Sequence, residues 1–405
     1  MDSLTQIVLG AAVGEIALGR KIGNRALIWG AIGGTIPDLD VLANPFMDDI
    51  RALAFHRSIT HSLFFSVVAP VAFAWLVQKL YSTRSHKSIW YKGLIALLNI
   101  LMLGGLTFGI NYVLAHDGYP LWWFLFITVL LALFLLSRLY RHYIRKDLEE
   151  PMTMFREWYW LFFLAFATHW LLDCFTAFGT QIFQPFSNYR VAFNNIAVVD
   201  PLYTVPFLVC MIIVSTLKRN TWRRIMINRI GLGISSAYML LTLYNKVHVD
   251  QVFDDALRHR NIEAYRCRAS PTILNNILWT CVAEDSSNYY VGLYSMLDSD
   301  PNLHHLNVIA KQDSLDRAWS GNEEYRTLKW FSDGYLAAFR TDSVTALTDL
   351  RYGAIGDTIT DYRDFVFRFL VHDNHGQLVF TEKREPPKGN IGVVFRNLWT
   401  RIKGY

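Results

Sequence analysis

The chain has 405 residues, 52% of them hydrophobic, with a mean hydropathy of +0.20 and a formal net charge of +5. That is too apolar for an ordinary soluble protein of this size. The basic excess is explained by where the loops lie rather than by a nucleic-acid surface.

The apolar residues are concentrated in residues 1–245. Two short Gly-rich helical stretches open the chain, "LTQIVLGAAVGEIALG" and "ALIWGAIGGTI". Neither reads as a cleaved signal peptide, because Asp2 and Glu15 are misplaced for one and no basic segment precedes them. Longer apolar runs follow at 62–78, 93–115, 121–137, 158–178, 197–217 and 230–244. A spanning helix needs about 20 apolar residues, so the expected architecture is mainly α, a polytopic membrane helical bundle. The first pair is short enough to be a tilted or half-inserted hairpin.

Charge placement orients the bundle. Of the 20 Lys/Arg in residues 1–245, 17 fall in four clusters: Arg20 to Arg25, Lys79 to Lys92, Arg138 to Arg156, and Lys218 to Arg229. Neighbouring clusters are separated by two apolar segments each, as expected when all four loops are cytoplasmic. Arg51, Arg57 and Arg190 then lie outside, with eight embedded segments and an extracytoplasmic C-terminus. Residues 246–405 carry 19 Lys/Arg and 21 Asp/Glu and no spanning run. They read as a soluble α+β domain, with "HVDQVFDDALRHRNIEAY" helical and "NYYVGLYSML", "YLAAFR", "DFVFRFLV" and "GQLVFTEK" as strands. After a turn or linker at "EPPKGN" the basic tail "VVFRNLWTRIKGY" reads as a solvated terminal element, with an amphipathic one the alternative. Outside the cytoplasm, a Cys267–Cys281 disulfide is permissible. Cys174 and Cys210 read as small packing residues.

The unusual polar residues gather at one membrane boundary. In "GGTIPDLDVL", Pro37 ends a helix, and an extended chain beyond it points Asp38 and Asp40 the same way. In "FHRSITHSLFF", His56 falls in a loop and His61 at the start of the next span. In "HWLLD", His169 and Asp173 share one helix face at i and i+4. Each element has a bland reading: turn-forming aspartates, interfacial histidines, a buried His–Asp pair locking two helices. Six Asp/His ligand candidates from three segments favour a metal centre instead, because polar groups in hydrocarbon are costly. Arg57, Arg190 and Ser187 are candidates for holding an anion, although a solvated surface residue is the bland alternative for each. Asp200 opens a span as a helix-start residue or a further ligand.

The segments "MDSLTQIVLGAAVGE", "GGTIPDLDVL", "HRSITHS", "HWLLDCFTAFGTQIFQPFS" and "DPLYT" resemble, in this order over residues 1–215, the LexA-regulated, YdjM-like inner-membrane proteins. That family is described as metal-dependent hydrolases and is distantly similar to zinc-dependent phospholipase C and P1-type nucleases. The resemblance implies that Asp38, Asp40, His56, His61, His169 and Asp173 are metal ligands. Where many members have "THALLG", this chain has "TQIVLG", so Gln6 replaces a ligand histidine.

Mixed Asp/His ligation suits Zn²⁺, and also Mn²⁺ or Fe²⁺. The resulting expectation is a bacterial inner-membrane, metal-dependent hydrolase acting on a phosphoester or related bond of a lipid or lipid-linked substrate. Asp40 or Asp173 is the candidate base, and no nucleic-acid partner is expected. The rivals are a structural metal site whose soluble domain recruits a partner, and an ion or proton path. The path would place polar residues at several depths, which the clustering at one end disfavours.

Overall fold

The computed structural model describes residues 1–97 and 150–404, apart from 341–343, 355, 375–376 and 384–390, together with scattered positions between 98 and 149. The expected runs at 93–115, beyond residue 97, and 121–137 lie outside the described residues, as does "EPPKGN". The chain divides into two compact units, Met1–Pro70 with Trp160–Tyr405, and Val71–Tyr159.

In the first unit, α1 (Ser3–Ile22) and α2 (Asn24–Thr35) form a hairpin that turns at Gly23, where φ is +60°. The helices touch backbone to backbone. A Cβ on Gly10 would lie 2.3 Å from the Gly30 carbonyl oxygen, and one on Gly34 would lie 2.4 Å from that of Gln6. Gly10, Gly14, Gly30 and Gly34 thus form paired small-residue faces, which allow helices without bulky side chains to gain van der Waals contact. The N-terminus of α1 is capped by Asp2, which accepts from Thr5 N.

Past α2 the backbone bends by 42° into a 3-10 segment, Pro37–Phe46. Three helices follow: α3 (Asp49–Phe55), α4 (Leu63–Ser82) and, further on, α5 (Phe155–Cys174). The last two of the helical half are α6 (Pro201–Thr216) and α7 (Trp222–His259). Val8, Leu9, Ala12 and Val13 of α1 pack with Ala165 and Leu172 of α5, Phe207 and Met211 of α6, and Met239 of α7. Among the described residues, α4 and α7 are long and apolar enough to cross a membrane, and the bent pair Asn24–Thr35 with Pro37–Phe46 is a third when taken as one span. The expected run at 230–244 lies inside α7, a single helix of 38 residues that continues into the predicted "HVDQVFDDALRHRNIEAY" helix and ends at His259, before "RNIEAY".

The C-terminal region is built of two four-stranded antiparallel meanders, β1-β2-β3-β4 and β5-β6-β7-β8. The first comprises β1 (Arg266–Pro271), β2 (Leu278–Glu284), β3 (Asn288–Ser295) and β4 (Leu306–Ala310). Trp279, Cys281 and Ala283 on one face of β2 pack against Val252, Phe253 and Ala256 at the end of α7. The second comprises β5 (Leu336–Arg340), β6 (Thr345–Asp349), β7 (Arg368–Asn374) and β8 (Gln377–Glu382). Between the meanders lie α8 (Asp313–Trp319) and α9 (Glu323–Phe331). Ile50 of α3 enters the core of the second meander beside Leu347, Phe369 and Phe380, which ties the polar loop of the helical half to the C-terminal sheets. The tail forms α10 (Ile391–Ile402), whose Ile402 packs on Leu278 and Leu293, so its end is anchored.

Cys267 and Cys281 are free, so the permissible disulfide is not formed. In the β1–β2 register Cys267 faces Ala283 and Cys281 faces Ala269, which makes the cysteines diagonal neighbours. Diagonal neighbours lie about 7–8 Å apart, beyond the usual Cα separation of a disulfide.

The second unit contains the distal part of α4 and the start of α5. Within it Tyr81 stacks on Trp158 with ring centroids 5.7 Å apart, and Trp158 Nε1 donates to Thr153 Oγ1 at 2.9 Å.

Candidate metal centre

Three local features bring the polar residues together. Beyond Pro37 the chain is 3-10 helical rather than extended, so Asp38 and Asp40 point to different partners, a correction to the sequence expectation. A second 3-10 turn, Ile59–His61, ends before α4 and buries His61 completely. On α5, His169 and Asp173 stand one turn apart, both at or below 1% exposure.

Asp38, His61, His169 and Asp173 each offer one donor atom, and the four atoms lie within 4.8 Å of one another. His169 Nε2 is 3.0 Å from His61 Nε2. Asp38 Oδ1 lies 3.2 Å from the His61 nitrogen and 3.4 Å from that of His169. Asp173 Oδ2 lies 3.4 and 3.5 Å from the same two nitrogens. Tetrahedral ligands at zinc-like bond lengths are separated by about 3.3–3.4 Å, so these five spacings are close to those between the ligands of one metal ion.

The hydrogen bonds behind the four atoms set the ligand tautomers. His169 Nδ1 lies 2.7 Å from the Gly34 carbonyl oxygen, an acceptor only, which assigns the proton to Nδ1 and leaves the Nε2 lone pair facing the cluster. His61 Nδ1 is 3.0 Å from Thr60 Oγ1, whose hydroxyl donates to Asp40 Oδ2 at 3.3 Å. That relay likewise directs the His61 Nε2 lone pair inward. Burial pushes the His61 pKa down to about 4 against the opposing pull of Asp38, which keeps its ring neutral and able to ligate at physiological pH. Two imidazole Nε2 atoms facing each other at 3.0 Å, with Asp173 Oδ2 buried and without a hydrogen-bond partner, form a set that a cation would complete.

Four of the six expected ligands are therefore brought together. Asp40 and His56 pair with each other behind the cluster, Asp40 Oδ1 to His56 Nδ1 at 2.9 Å. Asp40 also accepts from the backbone N–H of Arg57 at 3.0 Å, which places it to orient the loop and, through Thr60, His61. Gln6 is buried in the position that the resemblance marked, with its amide donating to Asp173 Oδ1 at 3.0 Å and to the His169 carbonyl at 3.2 Å. The amino group of Met1 contacts Asp173 Oδ1 as well.

Arg57 lies against this group, with Nη1 donating to Thr176 Oγ1 at 2.8 Å and Nη2 3.3 Å from Asp173 Oδ1. Arg190 is turned inward, its guanidinium over the rings of Phe178 and Phe331 at 4.7 Å. Ser187 is exposed and accepts from Tyr189 N at 3.2 Å, away from the cluster. Asp200 is the N-cap of α6 and accepts from Leu202 N and Tyr203 N, so it serves as a helix start rather than as a ligand. Two further basic residues were not singled out from the sequence. Arg268 and Arg351 reach the carbonyl of Ala177, at 3.1 and 3.5 Å, from β1 and from the 3-10 turn Leu350–Tyr352 after β6. They lie about 90 and 170 residues from the motif they meet, in a region of ordinary mixed charge, and no local pattern announces them.

The apolar candidate spans and the convergent Asp/His donors define a membrane protein with a candidate divalent-metal centre. The chain belongs to the YdjM inner membrane protein family, whose model matches residues 1–249. No curated protein and no solved structure matches the chain.

Proposed function

We propose that this protein is a metal-dependent hydrolase of the inner membrane, cleaving a phosphoester or related bond of a lipid or lipid-linked substrate at headgroup depth. The supporting observation is the donor geometry, five separations of 3.0–3.5 Å among four atoms, two histidine nitrogens and two carboxylate oxygens. Asp38, His61, His169 and Asp173 would hold the ion, with Zn²⁺ the first choice and Mn²⁺ or Fe²⁺ compatible with the same donors. Such an ion lowers the pKa of a coordinated water and polarises a phosphoryl oxygen. Arg57 and Arg190 take the anionic group of the substrate. Asp40 holds His61 and the Arg57 loop in register, and its carboxylate is the remaining acidic group beside the ligands for a proton-accepting role. On this reading the membrane region is a polytopic bundle, and residues 246–405 form an extracytoplasmic domain.

Two measurements on purified full-length protein test the reading. Element-resolved analysis should find stoichiometric zinc, manganese or iron, and membrane phospholipids or lipid-linked phosphates should be hydrolysed. Hydrolysis that persists unchanged in Asp38→Asn and His61→Ala protein would remove the assignment. Metal without turnover on either substrate class would leave a structural site. Reporter fusions at Arg145 and Lys403 should score cytoplasmic and extracytoplasmic, and both on one side would overturn the orientation.

A further inference from the structure

Beside the metal ligands lies a concentration of buried positive charge that the hydrolase reading only partly uses. Arg57 and Arg351 are 4% and 3% exposed. Arg190 and Arg268 are also turned inward, and the Arg268 side chain is only 9% exposed. All four meet the short turn 177–179. Arg57 and Arg190 lie over the Phe178 ring at 4.8 and 4.7 Å, Arg190 Nη2 donates to the carbonyls of Phe178 and Gly179, and Arg268 and Arg351 donate to Ala177.

Among the described residues, the carboxylates near this turn do not pair with every guanidinium. Asp349 is spent on Arg351, whose Nε and Nη2 it accepts at 2.9 and 2.6 Å. Asp173 serves the metal ligands, and Asp333, 3.6 Å from Arg268, is 67% exposed and screened by water. The N–H groups of Arg57 Nε, Arg190 Nε and Nη1, and Arg268 Nε are buried without a partner. Guanidinium groups withdrawn from water are ordinarily paired, because burying an uncompensated charge is costly.

We infer that Arg57, Arg190, Arg268 and Arg351 form an anion subsite beside the metal ligands, half of it supplied by the C-terminal sheets, and that its ligand is a dianionic phosphate monoester group. The charge count selects the dianion. Asp38, Asp40, Asp173 and Asp349 balance the four guanidinium groups, so a bound divalent ion leaves two positive charges uncompensated. A phosphodiester supplies one negative charge and a phosphomonoester close to two. Arginine forks suit the planar, multidentate recognition of such oxygens. Burial and the charge of Arg351 also press the Arg190 and Arg268 pKa values down, the response of cations that lack a counter-ion.

The inference deepens the hydrolase reading and rests on it for the adjacent metal. The test follows thermal unfolding of full-length protein, metal-loaded and chelator-stripped, at about pH 8, where phosphate is mostly dianionic. One arm adds inorganic phosphate against chloride of equal ionic strength. The other embeds the protein in nanodiscs of phosphatidic acid or of phosphatidylglycerol. Saturable stabilisation by inorganic phosphate alone assigns a soluble ligand, and stabilisation by phosphatidic acid alone assigns a lipid headgroup; either supports the subsite. Apparent affinity should fall at least tenfold in Arg190→Gln and in Arg268→Gln, and should be unchanged in Arg317→Gln, an exposed arginine on α8. Should Arg268→Gln not fold, Arg268→Lys and Arg190→Gln carry the comparison, with an intermediate loss expected for the lysine. No stabilisation of wild-type protein in either arm overturns the inference. So does wild-type affinity in the arginine variants, or equal stabilisation by the phosphodiester lipid. Arginine-dependent phosphate binding in protein that turns over no substrate keeps the subsite and removes the hydrolase reading. Full turnover in Arg190→Gln and Arg268→Gln protein does the reverse.

Discussion

Glu15 and His169 are both polar residues on apolar helices, yet their surroundings differ in kind. Glu15 meets Arg224 in a bidentate pair at 2.7 and 2.6 Å, and the remaining Arg224 nitrogen donates to Asn24 and to the carbonyls of Val214 and Leu217. Every nitrogen of that guanidinium is matched. Around His169, two ring nitrogens face each other and a buried carboxylate oxygen has no hydrogen-bond partner. The comparison teaches that burial of a polar group does not by itself mark function in a membrane helix. What separates a structural pair from a ligand site is whether the protein's own atoms complete it.

The strongest way to break this contrast is to remove ligands. His169→Ala and Asp173→Asn should each lose bound metal, read by elemental analysis, while Glu15→Gln keeps the wild-type stoichiometry. Wild-type metal content in both ligand variants would return His169 and Asp173 to helix packing. Next in size is Arg224→Met, which strands the Glu15 carboxylate in the core. It should cost about 3–5 kcal/mol in unfolding measurements and leave metal content alone. A smaller effect is expected for Gly30→Ala, since its Cβ would lie 2.2 Å from the Gly10 carbonyl oxygen. Forcing the helices apart there should cost about 1–3 kcal/mol, measured by the same denaturation; an unchanged midpoint would show that the hairpin yields freely.

The smallest effect concerns a completed pair outside the membrane. Burial opposes ionisation of Glu284, but hydrogen bonds from Lys311, Tyr265 and Arg266 outweigh it and hold its carboxyl below the ordinary 4.5. Its stabilising contribution is present above that ordinary value and is lost as pH falls through the lower folded-state value. Urea midpoints should therefore decline toward acid less steeply in Glu284→Gln than in the wild type. Parallel curves would assign the acid sensitivity to other groups.

Much of this was legible before the structure. The "HWLLD" spacing placed His169 and Asp173 on one face because helix periodicity is local, and the segment is indeed α5. The strands "NYYVGLYSML" and "YLAAFR" were legible for the same reason, as β3 and β5. Asp38 and Asp40 were misread as sharing a direction, because Pro37 begins a 3-10 segment instead of releasing an extended chain. Pro restricts the residue before it more than the path after it, so both outcomes were open to the same letters. Arg268 and Arg351 were not legible at all. Their role depends on how two meanders dock beside the turn 177–179, and on Ile50 entering the second sheet's core, which no short window encodes.

Gly34 joins two roles that lie in different parts of the molecule. Its missing side chain lets α2 approach the Gln6 carbonyl, and its own carbonyl oxygen accepts a hydrogen bond from His169 Nδ1. The spacing of the helix hairpin and the orientation of the His169 ring are thus one mechanical linkage. A methyl group added at Gly10, on the far side of that contact, would be felt at the candidate centre as a shift of the His169 ring, so residues outside the Asp/His cluster can set how its donors are aimed.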